Sequence, residues 1–145
     1  MGEVCMRNAR LTDLPCIEQM LLNESLPIAG VAEHLTTFLV AERDNAIIGA
    51  MGLELYGDTA LLRSAVVIAH EKGAGIGGEL YDAIFATATS MNITRLLLLT
   101  NTAEEYFRRR GFRKIPQESV TGPVTSSVEF SGACPSHAAC MELIL

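Results

Sequence analysis

The chain has 145 residues, of which 49% are apolar and 19% are charged, and its formal net charge is −6. This length suits one domain, and the apolar share is large enough to bury a core. The chain has 17 acidic and 11 basic residues, and this negative balance argues against a general attraction to nucleic acid. We therefore expect a single domain over residues 1–145 with no nucleic-acid partner.

The apolar runs of the chain are short. Leu96–Leu99 and Ala46–Met51 fall far below the ~20 residues that a membrane-spanning helix needs. Residues 1–10 lack the long apolar core of a signal peptide. We expect a cytoplasmic protein without a membrane partner, in which the cysteines stay reduced.

The first part of the chain predicts one helix between strands. Glu3–Ala9 is predicted to be a strand, and Thr12 is predicted to cap a helix. The apolar stripe of that helix is Leu14, Ile17 and Leu21. A second short helix is predicted over Val31–Leu35. Three antiparallel strands follow, separated by turns: Phe38–Glu42, Ala46–Tyr56 and Leu61–Ala69.

The pattern changes at His70, where a glycine-rich loop opens a helix. The apolar residues of this helix are Ile76, Leu80, Ala83, Ile84 and Met91. A strand at Leu96–Thr100 comes next, then a helix with capping-box spacing at Thr102–Glu105 and Gly111 in its C′ position. The tail pieces Ser126–Ser131 and Cys140–Leu145 predict a hairpin that closes the sheet. The whole order predicts one mixed α/β layer.

Four glycines stand within six residues, at Gly73, Gly75, Gly77 and Gly78. Glycine lets the backbone approach a ligand closely, and a loop that opens a helix aims N–H groups and the positive end of the helix dipole at one point. That point favours an anion such as a pyrophosphate. The alternative is a tight turn without a ligand, although one or two glycines satisfy such a turn.

The same string matches the dinucleotide signature G-x-G-x-x-G. A dinucleotide site also needs an acidic residue about 20 positions further on, and no Asp or Glu occurs between Asp82 and Glu104. The motif also follows a run of predicted antiparallel strands. These observations argue against a nicotinamide site.

Three stretches resemble the GNAT superfamily of N-acetyltransferases, and the resemblance covers essentially the whole chain. The strand Ala65-Val66-Val67 leads to Lys72-Gly73-Ala74-Gly75-Ile76-Gly77-Gly78, which resembles the family's acetyl-CoA loop of Arg or Gln, two residues, Gly, one residue, then Gly or Ala. Residues 103–112 resemble the family's next helix, which ends in Gly-Phe after an aromatic pair. The second aromatic is commonly a tyrosine that protonates the departing thiolate, and here it is Phe107.

The resemblance implies a fold and an acetyl-CoA site. The implied fold is α/β (α+β), with a mainly antiparallel sheet, helices on both faces and a splayed pair of parallel strands at the acyl-CoA site. The backbone of Ala65, Val66 and Val67 would face the pantetheine arm and the thioester, and residues 73–78 would hold the pyrophosphate. The residues assigned to acetyl-CoA are Ala65, Val66, Val67, Lys72, Gly73, Ala74, Gly75, Ile76, Gly77, Gly78, Asn101 and Phe107.

A closer resemblance is to the acetyltransferases that accompany arsenic-resistance genes. The residues that carry it are Gly52-Leu53-Glu54-Leu55-Tyr56-Gly57-Asp58, Leu61-Leu62-Arg63-Ser64, Leu99-Thr100-Asn101-Thr102-Ala103-Glu104, and Glu129-Phe130 with Cys134-Pro135. The implied activity is direct transfer of an acetyl group from acetyl-CoA to a small-molecule amine, such as an amino acid or an amino-acid-like toxin. A catalytically silent acyl-CoA-binding module remains the alternative, and a homodimer stays open.

The acceptor side needs a base, because an ammonium group has no lone pair. Glu54 is the leading candidate. It shares a strand face with Tyr56 and with the small residues Ala50 and Gly52, which leave space for a ligand. The alternative is an exposed strand face on which Glu54 has no role. Arg63 is a candidate clamp for an acceptor carboxylate, or else a partner of an acid such as Asp58.

Two further patterns have structural explanations. Cys134-x-x-His137-x-x-Cys140 lacks the usual fourth ligand of a structural zinc site, so we assign no metal and interpret the cysteines as buried. The basic run complements the end of a helix, and one or two of its members are candidates for the 3′-phosphate of CoA. Its members are Arg108, Arg109, Arg110, Arg113 and Lys114.

Overall fold

The computed structural model describes residues 2–133 and 138–145. The strands are β1 (Cys5–Asn8), β2 (Phe38–Arg43), β3 (Ala46–Tyr56), β4 (Thr59–Val67), β5 (Arg95–Thr100), β6 (Arg113–Ile115) and β7 (Ala139–Ile144). The α-helices are α1 (Leu14–Asn23), α2 (Ile76–Ser90) and α3 (Glu104–Arg108). The strands form a seven-stranded sheet in the order β1-β2-β3-β4-β5-β7-β6. The predicted mixed α/β class is confirmed.

The sheet is mainly antiparallel, as predicted. β1 pairs with β2, β2 with β3, and β7 with both β5 and β6, all antiparallel. Asp44 and Asn45 have φ values of 53° and 65°, as a two-residue hairpin turn requires between β2 and β3. β4 and β5 are parallel, with Thr59–Leu61 opposite Arg95–Leu97. This ladder ends before either strand does, as the predicted splayed pair requires.

Backbone contacts divide the chain into two compact units. The first unit contains the described residues up to Leu53 together with Ser64–Thr87, and the second contains Glu54–Arg63 together with the described residues from Ala88 to Leu145. The single domain over residues 1–145 stays a prediction. No helix among the described residues is long and apolar enough to cross a membrane.

In the first unit, neighbouring residues of β3 contact different helices. Ala50 belongs to a buried cluster that includes Ile17 and Leu21 of α1. A Cβ on Gly49 would lie 3.1 Å from a methyl carbon of Leu80 and 3.5 Å from one of Ile76, both on α2. Because successive strand residues point to opposite faces, α1 and α2 cover opposite faces of this unit's strands. The prediction of helices on both faces is confirmed.

The core of the second unit is formed by β4, β5, β7 and the segment that follows β6. Its buried residues are Leu61, Leu97, Val120, Val124 and Cys140. Tyr56, Leu99, Ile115 and Phe130 pack against this cluster. The tail therefore supplies part of this core.

The predicted hairpin in the tail is wrong. Pro123–Ser126 forms a 3₁₀ turn and Glu129–Ala133 a π turn, while β7 pairs with β5 and β6. The positive φ of Gly122 (92°) and the ring of Pro123 favour a local turn over a strand. Ser127 and Glu129 are buried, Ser126 and Val128 are exposed, and Phe130 is half-buried. Burial therefore alternates along residues 126–129 as in a strand, but with the polar side chains inward.

The two ends of α3 differ in how well the sequence predicts them. The capping box at Thr102 is wrong, because Ala103 occupies the N-cap and Thr100 Oγ1 accepts the N–H groups of Thr102 and Ala103 instead. Gly111 does end the helix at C′, with φ at 97°. The Phe112 N–H bonds to Phe107 O, as in a Schellman motif.

Two smaller predictions also need correction. In place of a helix over Val31–Leu35, the structure has a 3₁₀ helix at Ala32–Thr37. Met91 does not lie on the buried face of α2, because the helix ends at Ser90 and the Met91 side chain is exposed.

Candidate functional site

The glycine loop connects the end of β4 to α2 within the first unit. Gly73 and Gly75 have φ values of 87° and 82°, in the left-handed region that favours glycine. A Cβ at either position would meet no atom within 4 Å. The backbone of the loop therefore borders open space on the side where side chains would project.

The first turn of α2 contributes the next N–H groups. The helical bond from Glu79 N–H to Gly75 O measures 3.1 Å, and the N–H groups of Ile76, Gly77 and Gly78 precede it. Such groups have no partner within a helix. At Gly77 a Cβ would meet only Val67, at 4.0 Å. This open loop at a helix N-terminus fits the shape and charge of a pyrophosphate.

The remaining predicted acetyl-CoA residues of the first unit lie on either side of the β4–loop junction. Ala65 is exposed, Val66 is buried and Val67 is half-buried near the end of β4. The side chain of Lys72 is 52% exposed, and its Nζ lies 2.5 Å from Glu24 Oε1. A phosphate at the loop would compete with this carboxylate for the lysine.

Glu54 lies on β3 and belongs to the second unit, where its side chain is fully buried. Its Oε1 accepts a hydrogen bond from the Tyr56 hydroxyl at 2.5 Å, and its Oε2 accepts one from Arg63 Nη1 at 2.7 Å. The alternative of an exposed Glu54 is therefore wrong. Burial, followed by the hydrogen bond with Glu54, raises the pKa of Tyr56 to about 12.

Arg63 contacts a second carboxylate. Its Nε lies 3.4 Å from Glu129 Oε2, and the Glu129 side chain is 5% exposed. The suggested pairing with Asp58 is replaced by these two acids, because both lie against the buried guanidinium. A role for Arg63 as a clamp for the acceptor carboxylate would require these contacts to rearrange.

The segment around Glu129 closes a ring of side-chain contacts that consists of Glu54, Tyr56, Arg63, Ser127 and Glu129. Ser127 hydrogen-bonds the Tyr56 hydroxyl with its side chain, and its Oγ accepts the Glu129 N–H at 3.2 Å. Tyr56 and Arg63, which both donate hydrogen bonds to Glu54, are thus held by one short segment of the tail. Two buried carboxylates, Glu54 and Glu129, share the guanidinium of Arg63 in this ring of contacts. The folded state is destabilised if either contact is lost, because a buried charge is then left without its partner.

The space expected at the small residues of β3 is filled in the structure. A Cβ on Gly52 would collide with the ring of Phe38, and Ala50 is fully buried. These small residues serve packing, so the interpretation that they leave room for a ligand is wrong.

Asn101 and the aromatic pair occupy the region of α3. Asn101 is exposed after the end of β5, and Phe107 is 6% exposed. The Phe107 ring makes edge contacts with Tyr106 at 5.1 Å and with Phe112 at 5.4 Å between centroids. The guanidinium of Arg110 lies 4.6 Å from the centroid of the Tyr106 ring. Both aromatics therefore have packing contacts.

A surface cleft of about 400 Å³ opens beside Tyr56 in the second unit. Its polar lining includes Asp58, Thr94 and Arg95, and Pro123 and Val124 of the tail form part of its wall. Tyr56 therefore hydrogen-bonds the buried Glu54 and also lines this cleft.

Ser127 and Glu129 are members of the ring of contacts that were not predicted as site residues, because the pattern of their segment predicts a strand. Glu129-Phe130 enters the sequence analysis only through the resemblance to arsenic-resistance-associated acetyltransferases. The available signal is Glu129 between Val128 and Phe130, an acid between apolar neighbours. Cys134 and His137 of the suggested metal pattern lie outside the described residues. Cys140 is buried, and burial raises the pKa of its thiol to about 11, so it remains a protonated thiol at neutral pH.

The mixed sheet, the parallel pair and the open glycine loop agree with the fold that the GNAT resemblance implies. Residues 34–114 match the family model described as the acetyltransferase (GNAT) domain. The chain belongs to this family.

Comparison with curated proteins supports the same family. The chain is 30% identical over 144 residues to an amino-acid acetyltransferase of Mycobacterium tuberculosis, covering 91% of this chain and 78% of that protein. It spans only 20% and 27% of the length of two further amino-acid acetyltransferases, from Aeromonas salmonicida and Pasteurella multocida.

Two solved structures share the fold. N-acetylglutamate synthase of Neisseria gonorrhoeae, complexed with coenzyme A and N-acetyl-glutamate, has a TM-score of 0.84 at 20% identity, covering 100% of this chain and 36% of that one. A Mycobacterium tuberculosis protein in complex with CoA has a TM-score of 0.79 at 23% identity, covering 97% of this chain and 99% of that one.

Proposed function

We propose that the chain transfers an acetyl group from acetyl-CoA to the amine of an amino acid or an amino-acid-like molecule. The observation that carries this proposal is the open glycine loop at the N-terminus of α2. The curated relatives, which are amino-acid acetyltransferases, support the class of acceptor. Solved neighbours in complex with CoA support acetyl-CoA as the donor.

In this proposal the acetyl-CoA contacts are mostly made by backbone. The N–H groups at residues 73–78 bind the pyrophosphate, and the backbone of Ala65–Val67 bonds the amide-rich pantetheine as a further strand would. Lys72 adds a point charge without the planar fork of an arginine. Asn101 and Phe107 complete the proposed set.

An acceptor ammonium must lose one proton before its nitrogen can attack, and the nitrogen loses a second proton as the amide forms. The amine nitrogen forms the new N–C bond while the C–S bond breaks, the second proton leaves to water, and the departing CoA thiolate takes a proton from water. We assign the first proton to Glu54. Because the Glu54 carboxylate is fully buried, direct contact with an amine is not available in this structure. The proton therefore reaches Glu54 through the Tyr56 hydroxyl or a water.

A second candidate is a GNAT-fold module that binds acyl-CoA without catalysis. The ring around Glu54 favours it, since both carboxylate oxygens already accept hydrogen bonds from the chain. Under this hypothesis Glu54, Arg63 and Glu129 serve stability alone.

We include an amino-acid-like toxin among the proposed acceptors because of the resemblance to arsenic-resistance-associated acetyltransferases. A single domain and a cytoplasmic location are proposed as well. The assay panel should contain both ordinary and toxic amino acids.

The deciding experiment incubates the protein with acetyl-CoA and a panel of amino acids, amino-acid-like toxins and small amines, and follows the release of free thiol. We expect acceptor-dependent release with at least one amino acid or analogue, and an N-acetylated product by mass spectrometry. Gly77→Glu serves as the control without loop binding. Binding of CoA without release for any acceptor would favour the silent module, and release only with other amines would exclude the proposed acceptor class.

A further inference from the structure

The glycine loop is flanked by an ion pair that no sequence motif indicates. Glu71 is the second residue before Gly73, and it is buried at 9% exposure. Arg43 Nη1 lies 2.6 Å and 2.7 Å from the two oxygens of the Glu71 carboxylate. Arg43 is the last residue of β2, so this contact joins a sheet strand to the start of the loop.

The backbone around Glu71 is held as well. The Ile68 N–H bonds to Ile48 O of β3 at 2.9 Å, and the Glu71 N–H bonds to Ile68 O at 3.0 Å. The Lys72 N–H closes the 3₁₀ turn on Ala69 O at 3.3 Å. Backbone hydrogen bonds therefore fix the path from β4 to the loop, and the Glu71 side chain ties that path to Arg43.

A loop that contains Gly73 and Gly75 loses much conformational freedom when it binds an anion. Fixing its ends in advance lowers that cost and raises affinity without any new contact to the ligand. At the far end the loop enters α2 at Ile76, which is 2% exposed. At the near end the buried anchor is Glu71.

We propose that Arg43 and Glu71 are positioning residues for the pyrophosphate loop and set its affinity for CoA. This inference rests on the proposed function of the loop as the acetyl-CoA site. Neither side chain contacts the ligand. They act by holding the backbone of the turn that ends at Lys72, and so fix where the loop begins at Gly73. The pair should therefore change binding of CoA and leave the acyl-transfer step unaltered.

A purely structural role is the competing explanation, and the chain offers a matched control for it. Arg7 and Asp13 form a partly buried pair in the same unit, with two contacts of 2.7 Å and 3.1 Å. Asp13 is 7% exposed, and its partners lie in β1 and the turn before α1. Asp13→Asn therefore removes a comparable ion pair that does not adjoin the loop.

The experiment measures binding of CoA and of pantetheine, which lacks the pyrophosphate, by calorimetry to wild type, Glu71→Gln, Arg43→Gln, the double variant and Asp13→Asn. We expect each loop variant to weaken CoA binding about tenfold, with no further loss in the double variant, because coupled residues are not additive. Binding of pantetheine should stay within about twofold. Asp13→Asn should lower Tm without weakening CoA binding.

Initial rates over a range of acetyl-CoA concentrations, at a fixed acceptor concentration, give the second measurement. The loop variants should raise KM for acetyl-CoA and keep kcat within about twofold. Equal CoA affinity in wild type and folded Glu71→Gln, or an equal loss in Asp13→Asn, would overturn the positioning role. Failure of the wild type to bind CoA would overturn the proposed function itself, so the two failures are distinguishable.

Discussion

The carboxylate of Glu54 lies 2.7 Å from the guanidinium of Arg63, and both side chains are almost wholly removed from solvent. Such a pair is strongly destabilising to break, because one charge is left buried without its partner. A substitution of Glu54 or Arg63 can therefore lower activity by destabilising the fold, apart from any effect on catalysis. A variant at either residue needs a stability measurement beside the kinetic one.

Glu54→Gln should lower kcat by about 10² or more and weaken CoA binding much less, because it removes the proposed base and leaves the loop intact. It should also cost stability, up to about 3 kcal/mol for the loss of a buried partner of Arg63. Steady-state kinetics, calorimetry and urea unfolding measure the three effects.

A matched control for Glu54→Gln is Glu142→Gln. Glu142 is 7% exposed and lies 2.9 Å from Arg113 and 3.4 Å from Arg95. We expect it to lose stability but not kcat. Equal turnover of wild type and Glu54→Gln between about pH 6 and 9 would exclude Glu54 as the base.

Gly77→Glu should abolish measurable CoA binding while the protein stays folded. The position is helical, and a Cβ added there would have only a Val67 carbon nearby, at 4.0 Å, so bulk is accommodated but a carboxylate is placed against the pyrophosphate. Gly75→Glu adds backbone strain, because φ there is 82°. Gly77→Ala is the matched control and should retain binding. Unchanged CoA affinity in folded Gly77→Glu would contradict the site assignment.

The Tyr56 hydroxyl should make the free energy of unfolding fall as the pH rises above about 10. Burial and the bond with Glu54 raise its pKa from 10.0 to about 12, so the folded state holds this proton more tightly than the unfolded state. The contribution is complete below about pH 10 and is lost as pH rises towards 12. Urea unfolding of wild type and Tyr56→Phe should show a stability difference that shrinks over this range. A constant difference would show that the pKa of Tyr56 is not shifted.

Tyr106→Phe should keep most of the activity, and Phe107→Tyr should keep CoA binding. Adjacent helix residues point about 100° apart, so Tyr106 does not take the place of the family's tyrosine at residue 107. The Tyr106 ring stays packed on Phe107 and against Arg110 in either case. Kinetics of the folded variants check this, and a loss of more than about 100-fold in kcat for Tyr106→Phe would show that its hydroxyl acts as an acid.

Initial-rate kinetics should show direct transfer through a ternary complex. No cysteine lies in or beside residues 65–78 to accept the acetyl group. Double-reciprocal plots for acetyl-CoA and the acceptor should therefore intersect. Parallel lines, together with an acetylated enzyme on the reaction pathway, would require a covalent intermediate instead.

Local patterns in the sequence are sufficient for most of the fold and for the glycine loop. Alternation predicts β3, the apolar stripe predicts α1 and α2, and Gly111 predicts the end of α3. Each of these depends on residues a few positions apart, since helix period, strand period and turn chemistry are short-range properties. The loop is identifiable for the same reason.

Only the tertiary structure decided the surroundings of Glu54. Its partner Arg63 is nine positions away, and Glu129 lies far along the chain in a segment whose pattern predicts a strand. In the sequence, the missing side chain of Gly52 indicates space for a ligand, but the ring of Phe38 fills that space. The sequence by itself determined the loop and most element types, although not those of the tail around Glu129. Burial and ion pairing between distant residues depend on packing, which local periodicity does not encode.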